Sequence, residues 1–132
     1  MADRYNNSAE RRKTKRIKAD FFLLYRQGEP IEISLWMGDK EFPAKMLDLS
    51  ENGMAIKTNY NILALTTLLI RFTLINLHAD AYEEARPMHI TGEVKYNNAL
   101  SEGWYRLGVS FTQIAEEDKS AIANFKKMAM GR

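Results

Sequence analysis

Two short patterns in the sequence combine residue types that recognise a guanine nucleotide. The first places Arg12 and Arg16 four positions apart in a basic N-terminal stretch. Arginine side chains are always charged, and they donate paired hydrogen bonds to phosphate oxygens and to the acceptor edge of guanine. The second pattern, Asp48, Ser50 and Gly53 at the end of an apolar run, supplies groups suited to the donor edge of guanine. Together the patterns predict a clamp around a guanine nucleotide.

The composition indicates one small folded domain. The chain has 132 residues, of which 45% are hydrophobic and 27% are charged, and this is enough to bury a single core. No apolar run reaches the roughly 18 residues that a membrane-spanning helix needs. The first seven residues also lack the apolar segment of a secretory signal. We therefore expect a cytoplasmic protein that does not insert into a membrane.

The distribution of charge and the content of cysteine and histidine limit the classes of function that the chain could have. Cysteine is absent, which excludes disulfides, a thiolate nucleophile and cysteine-based zinc sites. His78 and His89 stand in no triad or metal-ligand spacing, and no glycine-rich phosphate loop occurs. The net charge of +2 is unevenly placed, because residues 10 to 18 contain six basic residues and one acidic residue. The basic stretch by itself fits either a solvated tail or a segment that binds an anion. The few histidines and the missing cysteines give little support to catalysis or metal binding, and no cofactor is expected.

Seven segments have the alternating or continuous apolar pattern of β-strands, and turn residues separate them. They span residues 19–25, 31–37, 42–49, 54–58, 66–75, 88–97 and 104–112. The polar stretch 76–87 predicts a surface loop with room for a helical turn. A C-terminal helix is predicted after the acidic residues 116–118, because apolar residues recur there at helical spacing; these are Ile114, Ile122, Phe125, Met128 and Ala129.

These elements predict a mainly β fold. We expect a six- to seven-stranded antiparallel barrel whose open end or side is covered by the C-terminal α-helix. Residues 1–18 are expected to form a flexible basic segment that carries the arginine pair, and residues 19–132 the barrel with its helix.

The order of these parts resembles a known family. An R-x-x-x-R pattern, here Arg12 and Arg16, precedes the first strand, and a D/N-x-S-x-x-G pattern, here Asp48, Ser50 and Gly53, lies at a turn between strands. Residues 92–96 and 105–111 follow as a late strand pair, and a helix ends the chain. From about Arg11 to Met128 the sequence resembles the PilZ domain, a bacterial receptor module for cyclic di-GMP (c-di-GMP).

The resemblance implies a second-messenger receptor. On c-di-GMP binding, the arginine segment would become ordered over a guanine base seated at the second pattern, and the signal would pass to an unidentified downstream protein. An arginine at the position of Arg11 implies capture of an intercalated pair of c-di-GMP molecules. Lys95, Tyr96 and Arg106 are candidates to line the same face, although solvated or packing roles are expected for them. The implied ligand-binding residues are Arg11, Arg12, Arg16, Asp48, Ser50 and Gly53.

Other interpretations of the same residues stay open. Asp48 and Ser50 are also typical of turns, and Gly53 fits either a positive φ angle or close approach of a planar base. One alternative function is a small nucleic-acid-binding barrel that stacks bases on Tyr5, Trp36 or Trp104, although a nucleic-acid partner is not favoured. Another is a PilZ-fold adaptor that acts by protein contact without a ligand.

Overall fold

The computed structural model describes residues 17–18, 31–77 and 83–130 of the chain. They form seven β-strands, one 3₁₀ turn at Ser101–Gly103 and one α-helix. The strands are β1 (Ile17–Lys18), β2 (Glu32–Met37), β3 (Lys40–Leu49), β4 (Gly53–Thr58), β5 (Thr67–Leu77), β6 (Glu83–Ala99) and β7 (Tyr105–Gln113), and the helix α1 is Glu116–Met130.

All strand pairings are antiparallel, and they close into a barrel. Six strands follow one another around the ring in the order β3, β2, β5, β6, β7 and β4, and pairing of β3 with β4 completes it. The short strand β1 pairs with β3 at Leu49 and Asp48, beyond the stretch of β3 that pairs with β2. The mainly β fold with a six-stranded antiparallel barrel and a C-terminal helix, as predicted from the sequence, is confirmed.

The core consists of apolar side chains that alternate with outward-facing residues along the strands. In β2, Ile33 and Leu35 are buried in the interior, as the period of two predicts. In β7, Leu107 and Val109 are the buried members of the same pattern. Burial of apolar surface on the inner face of every strand supplies most of the driving force for folding. The largest fully buried side chains are Phe125, Leu35, Met46, Leu49, Met54, Ile56, Leu68, Ile70, Leu74 and Met88.

Helix α1 covers one end of the barrel. Its first turn contains Glu116, Glu117 and Asp118, where negative charge is favourable to the helix dipole. Ile122 and Phe125 are fully buried and belong to the same apolar cluster as the strands. The described helix is neither long nor apolar enough to cross a lipid bilayer.

The prediction of a loop at residues 76–87 is wrong for both ends of this stretch, which belong to strands. Strand β5 continues through Leu77, and β6 already begins at Glu83, with Leu77 and Glu83 as register partners. The β5–β6 pairing starts in the core, where Phe72 is the register partner of Met88, and continues outward to Leu77 and Glu83. Backbone hydrogen bonds hold this outer part together, so its residues can be polar. The polar composition of this stretch therefore did not mark the ends of the two strands. Residues 78–82, like the predicted strand at 19–25, lie outside the described residues.

Candidate ligand-binding site

A β-bulge decides which way Asp48 faces. Met46 pairs with Ile56, whereas Asp48 pairs with Ala55, so Leu47 is an extra residue in β3. Without the bulge, Asp48 would share the core face with Met46, two residues earlier. The extra residue turns Asp48 to the outer face and keeps Leu49, which is fully buried, in the core. Bulges commonly redirect a side chain in this way next to functional sites.

The Asp48 carboxylate lies in a defined polar environment on the barrel surface. Its Oδ1 accepts a hydrogen bond of 3.0 Å from the Ala55 N–H. Its Oδ2 lies 3.5 Å from a guanidinium nitrogen of Arg106. The two side chains are 11% and 25% exposed, so the pair is reachable from solvent. An ionised carboxylate is an acceptor only, with about four lone-pair sites.

Ser50 closes the turn between β3 and β4. Its N–H donates to the Gly53 carbonyl at 2.8 Å, its Oγ donates to the same carbonyl at 3.3 Å, and this Oγ accepts from the Asn52 N–H at 3.3 Å. The turn interpretation of Ser50 is therefore confirmed as a local structural role. Asn52 in turn accepts from the Phe111 N–H at 2.8 Å, which fixes the turn against β7.

Gly53 begins β4 opposite Ser110 of β7. The glycines with positive φ in the described part of the chain are Gly38 and Gly103, so the positive-φ explanation of Gly53 is wrong. Close approach of a ligand is the explanation that remains a prediction.

Four residues form a row across the outer face, which we call the floor row: Asp48, Ala55, Gly108 and Tyr96. They are successive register partners on β3, β4, β7 and β6. Ala55 is fully buried, and the Tyr96 ring occupies the space that a side chain at Gly108 would need. The small residues Ala55 and Gly108 thus leave room for the Tyr96 ring to pack on this face beside Asp48, and an aromatic ring is a surface on which a planar base can stack.

Arg106 and Tyr96 border the candidate site. Tyr96 packs over Gly108 at the end of the floor row, in agreement with the expected packing role. Arg106 lies beside Asp48, a contact that the sequence did not predict. The sequence did contain one signal for this contact, since alternation along β7 places Arg106, Gly108 and Ser110 together on the outer face. It identifies the site only when the pairing of β7 with β4 is known. Lys95 behaves as expected, since it is exposed and pairs with Glu93 at 2.6 Å.

Arg11, Arg12 and Arg16 lie outside the described residues. Their sequence joins the sheet at Ile17, which is the register partner of Leu49, and Lys18 is the partner of Asp48. The residues that directly follow the first pattern in the chain therefore pair with the strand that carries Asp48.

The turn is also tied to the C-terminal helix. Lys126 of α1 donates a hydrogen bond of 2.7 Å to the Glu51 carboxylate, within the second pattern. Both side chains are largely buried, at 11% and 25% exposure, which strengthens the pair relative to a surface ion pair. The helix and the turn are thus packed as one unit.

Potential metal ligands do not cluster within the described ranges. His89 is exposed on β6 and faces Arg71 on β5, and His78 lies outside those ranges. No group of three or more potential metal ligands occurs among the residues described.

Comparison with known proteins identifies the family. A family model described as PilZ domain matches residues 10–127. The chain belongs to the PilZ domain family, and the family predicted from the sequence is confirmed. The comparison with curated proteins gave no match.

Three solved structures share the fold at low sequence identity. The first is the inhibitor of motility MotI/DgrA from Bacillus subtilis, with a TM-score of 0.66 and 15% identity over 87% of this chain and 49% of that one. This chain therefore spans about half the length of the MotI/DgrA structure. The second is the PilZ domain of YcgR from Escherichia coli with c-di-GMP, with a TM-score of 0.61 and 14% identity over 87% of this chain and 88% of that one. The third is PlzA from Borreliella burgdorferi in complex with c-di-GMP, with a TM-score of 0.56 and 10% identity over 98% of this chain and 57% of that one.

Proposed function

We propose that this protein is a receptor for c-di-GMP. The observation that carries the proposal is the register of β1 against β3, where Lys18 pairs with Asp48. It joins the sequence of the arginine pair to the sheet beside the turn that holds Ser50 and Gly53. Similar folds in YcgR and PlzA have been solved with c-di-GMP, which supports the same ligand class here.

In the proposed complex, a guanine base lies against the floor row. Asp48 accepts hydrogen bonds from the donor edge of the base, as a carboxylate does best. Ser50 holds the turn, and Gly53 allows the base to approach the backbone. Arg12 and Arg16 bind the phosphates and the acceptor edge of guanine. Binding is the function of this surface, and no chemical step is involved.

We further propose that ligand binding orders residues 1–18 over the barrel formed by residues 19–132, and that this change is passed to a downstream protein. Each charge-assisted hydrogen bond contributes about 1.5 to 3 kcal/mol. Several of them would give micromolar affinity, roughly 8 kcal/mol, after the cost of ordering the segment is subtracted. Arg11 would favour two intercalated ligands, since a third arginine offsets their additional phosphate charge.

The arrangement of the tryptophans argues against a nucleic-acid platform. Trp36 lies on β2 and Trp104 directly precedes β7. A cation lies over each ring: Arg71 is 4.6 Å from the centre of the Trp36 ring, and Lys57 is 4.9 Å from the centre of the Trp104 ring. A base could not stack on these ring faces without displacing the cations. Tyr5 lies outside the described residues.

The experiment that tests the proposal is isothermal titration calorimetry of c-di-GMP into the wild-type protein, Arg12→Ala and Asp48→Ala. We expect micromolar binding by the wild type at a ligand ratio near two. Both variants should lose at least tenfold in affinity, because each loses a charge-assisted contact.

Matched controls separate binding from general charge effects. Asp39→Ala and Lys40→Ala remove exposed charges at the opposite end of β3, and they should bind like the wild type. Linear GMP and single-stranded RNA serve as competing ligands. Wild-type protein that binds RNA but not c-di-GMP would refute the receptor assignment, and circular dichroism of each variant checks that it is folded.

A further inference from the structure

A second row of side chains runs beside the floor row on the outer face of the barrel. It consists of Lys45, Lys57 and Arg106, which are successive register partners on β3, β4 and β7, and we call it the cationic row. On β4, Lys57 stands two residues from Ala55, a displacement of about 7 Å along the strand. The cationic row is therefore an immediate neighbour of the proposed binding surface.

The cationic row is electrostatically unfavourable by itself. Like charges directly opposite each other on neighbouring strands destabilise a sheet, and here three cations stand side by side. Arg106 reaches the carboxylate of Asp48. Within the described part of the chain, neither Lys45 nor Lys57 has a carboxylate within 4 Å. Glu32 of β2 is the register partner of Lys45 but forms no ion pair with it within 4 Å. Both ammonium groups can therefore bind an external anion.

The ring of Trp104 contacts the ammonium groups of both Lys45 and Lys57. The ammonium nitrogen of Lys57 lies 4.9 Å from the centre of the Trp104 ring, and that of Lys45 lies 5.8 Å from it. Both distances are within the range of a cation–π interaction. Because ammonium groups occupy the ring, Trp104 is better suited to hold them in place than to stack against a base. Lysine ammonium groups are compact point charges that bind phosphate without a planar partner.

We propose that Lys45, Lys57 and Trp104 form a phosphate subsite, which takes a phosphodiester of the same c-di-GMP whose base lies on the floor row. The inference rests on the proposed function and extends it. The binding surface then continues from Asp48 along the barrel, and the fixed strands contribute cations in addition to those of the N-terminal arginines. The two lysines and the N-terminal arginines would then both contribute to the affinity for c-di-GMP and to its salt dependence.

The test compares c-di-GMP binding by the wild type, Lys45→Gln, Lys57→Gln and the double variant, measured by calorimetry at three salt concentrations. The double variant should raise Kd about tenfold at low salt. Its Kd should also depend less steeply on salt, because fewer ions are displaced from the protein and the ligand. Lys40→Gln, an exposed lysine on the same strand at the β2–β3 turn, should leave both quantities unchanged.

Tryptophan fluorescence gives an independent measurement. Trp36 lies on β2, where its ring contacts Arg71 rather than the two lysines. In a Trp36→Phe variant, c-di-GMP should change the remaining emission, and in a Trp104→Phe variant it should not. Wild-type Kd and salt dependence in the double lysine variant, with unchanged emission of Trp104, would overturn the subsite while the receptor assignment stands. Absence of c-di-GMP binding by the wild type would overturn both.

Discussion

At the scale of single residues, the site depends on a side chain that strict alternation along a strand would place on the wrong face of the sheet. Asp48 follows Met46 at the spacing that would share its face, yet the extra residue Leu47 places the carboxylate outside and the methionine inside. The same surface needs Gly108, because the Tyr96 ring fills the space of any side chain there. The chemistry of the site therefore rests on one bulge and one glycine.

We predict that Gly108→Ala destabilises the protein by about 1 to 2 kcal/mol, since the added methyl group forces the Tyr96 ring away. Chemical denaturation followed by circular dichroism measures the change. The cost should largely disappear when Gly108→Ala is made in a Tyr96→Ala background, because the contact no longer exists. An equal cost in both backgrounds would show that Tyr96 is not the cause.

At the scale of elements, helix α1 is the part whose removal would expose the core. Phe125 is fully buried among strand residues, and the neighbouring Lys126 fixes the helix to Glu51 at the β3–β4 turn. The helix thus contributes apolar area and one largely buried ion pair at the end of the barrel where the site lies.

We predict that Phe125→Ala lowers the free energy of unfolding by about 3 to 5 kcal/mol, the usual cost of such a cavity. Urea denaturation gives the value. Lys127→Ala, at the next position but exposed, should change it by no more than about 0.5 kcal/mol. If both substitutions had similarly small effects, the helix would not be part of the folded core.

At the scale of the whole molecule, the barrel is closed, and its strands and helix share one apolar cluster. A closed sheet has no edge to release separately, so the described elements are expected to unfold together. A ligand that binds only the folded barrel then stabilises all of it.

We predict that c-di-GMP at one hundred times its Kd raises the free energy of unfolding by about 2.7 kcal/mol. The midpoint of thermal denaturation should rise by several degrees and continue to increase with ligand concentration. Asp48→Ala should remove most of this increase, whereas Asp39→Ala should retain it. An identical shift in the wild type and Asp48→Ala would place the ligand elsewhere on the protein.

The fold class, most of the strand positions within the described ranges, the helix and the family could be predicted from the sequence alone. Periodicity of apolar residues is a local property, and the spacing of Asp48, Ser50 and Gly53 is readable without coordinates. The C-terminal helix was predictable because its acidic first turn and apolar face lie within one continuous stretch. Polar composition misled only where backbone pairing, which is independent of side-chain type, extended the β5–β6 hairpin.

The tertiary structure decided which distant residues share a surface. Pairing of β4 with β7 brings Arg106 to Asp48, and pairing of β3 with β4 sets Lys45 beside Lys57. These neighbours are far apart in sequence, so no local pattern encodes their proximity. The outward direction of Asp48 also required the structure, because a bulge of one residue reverses the faces of a strand without a distinct sequence signal.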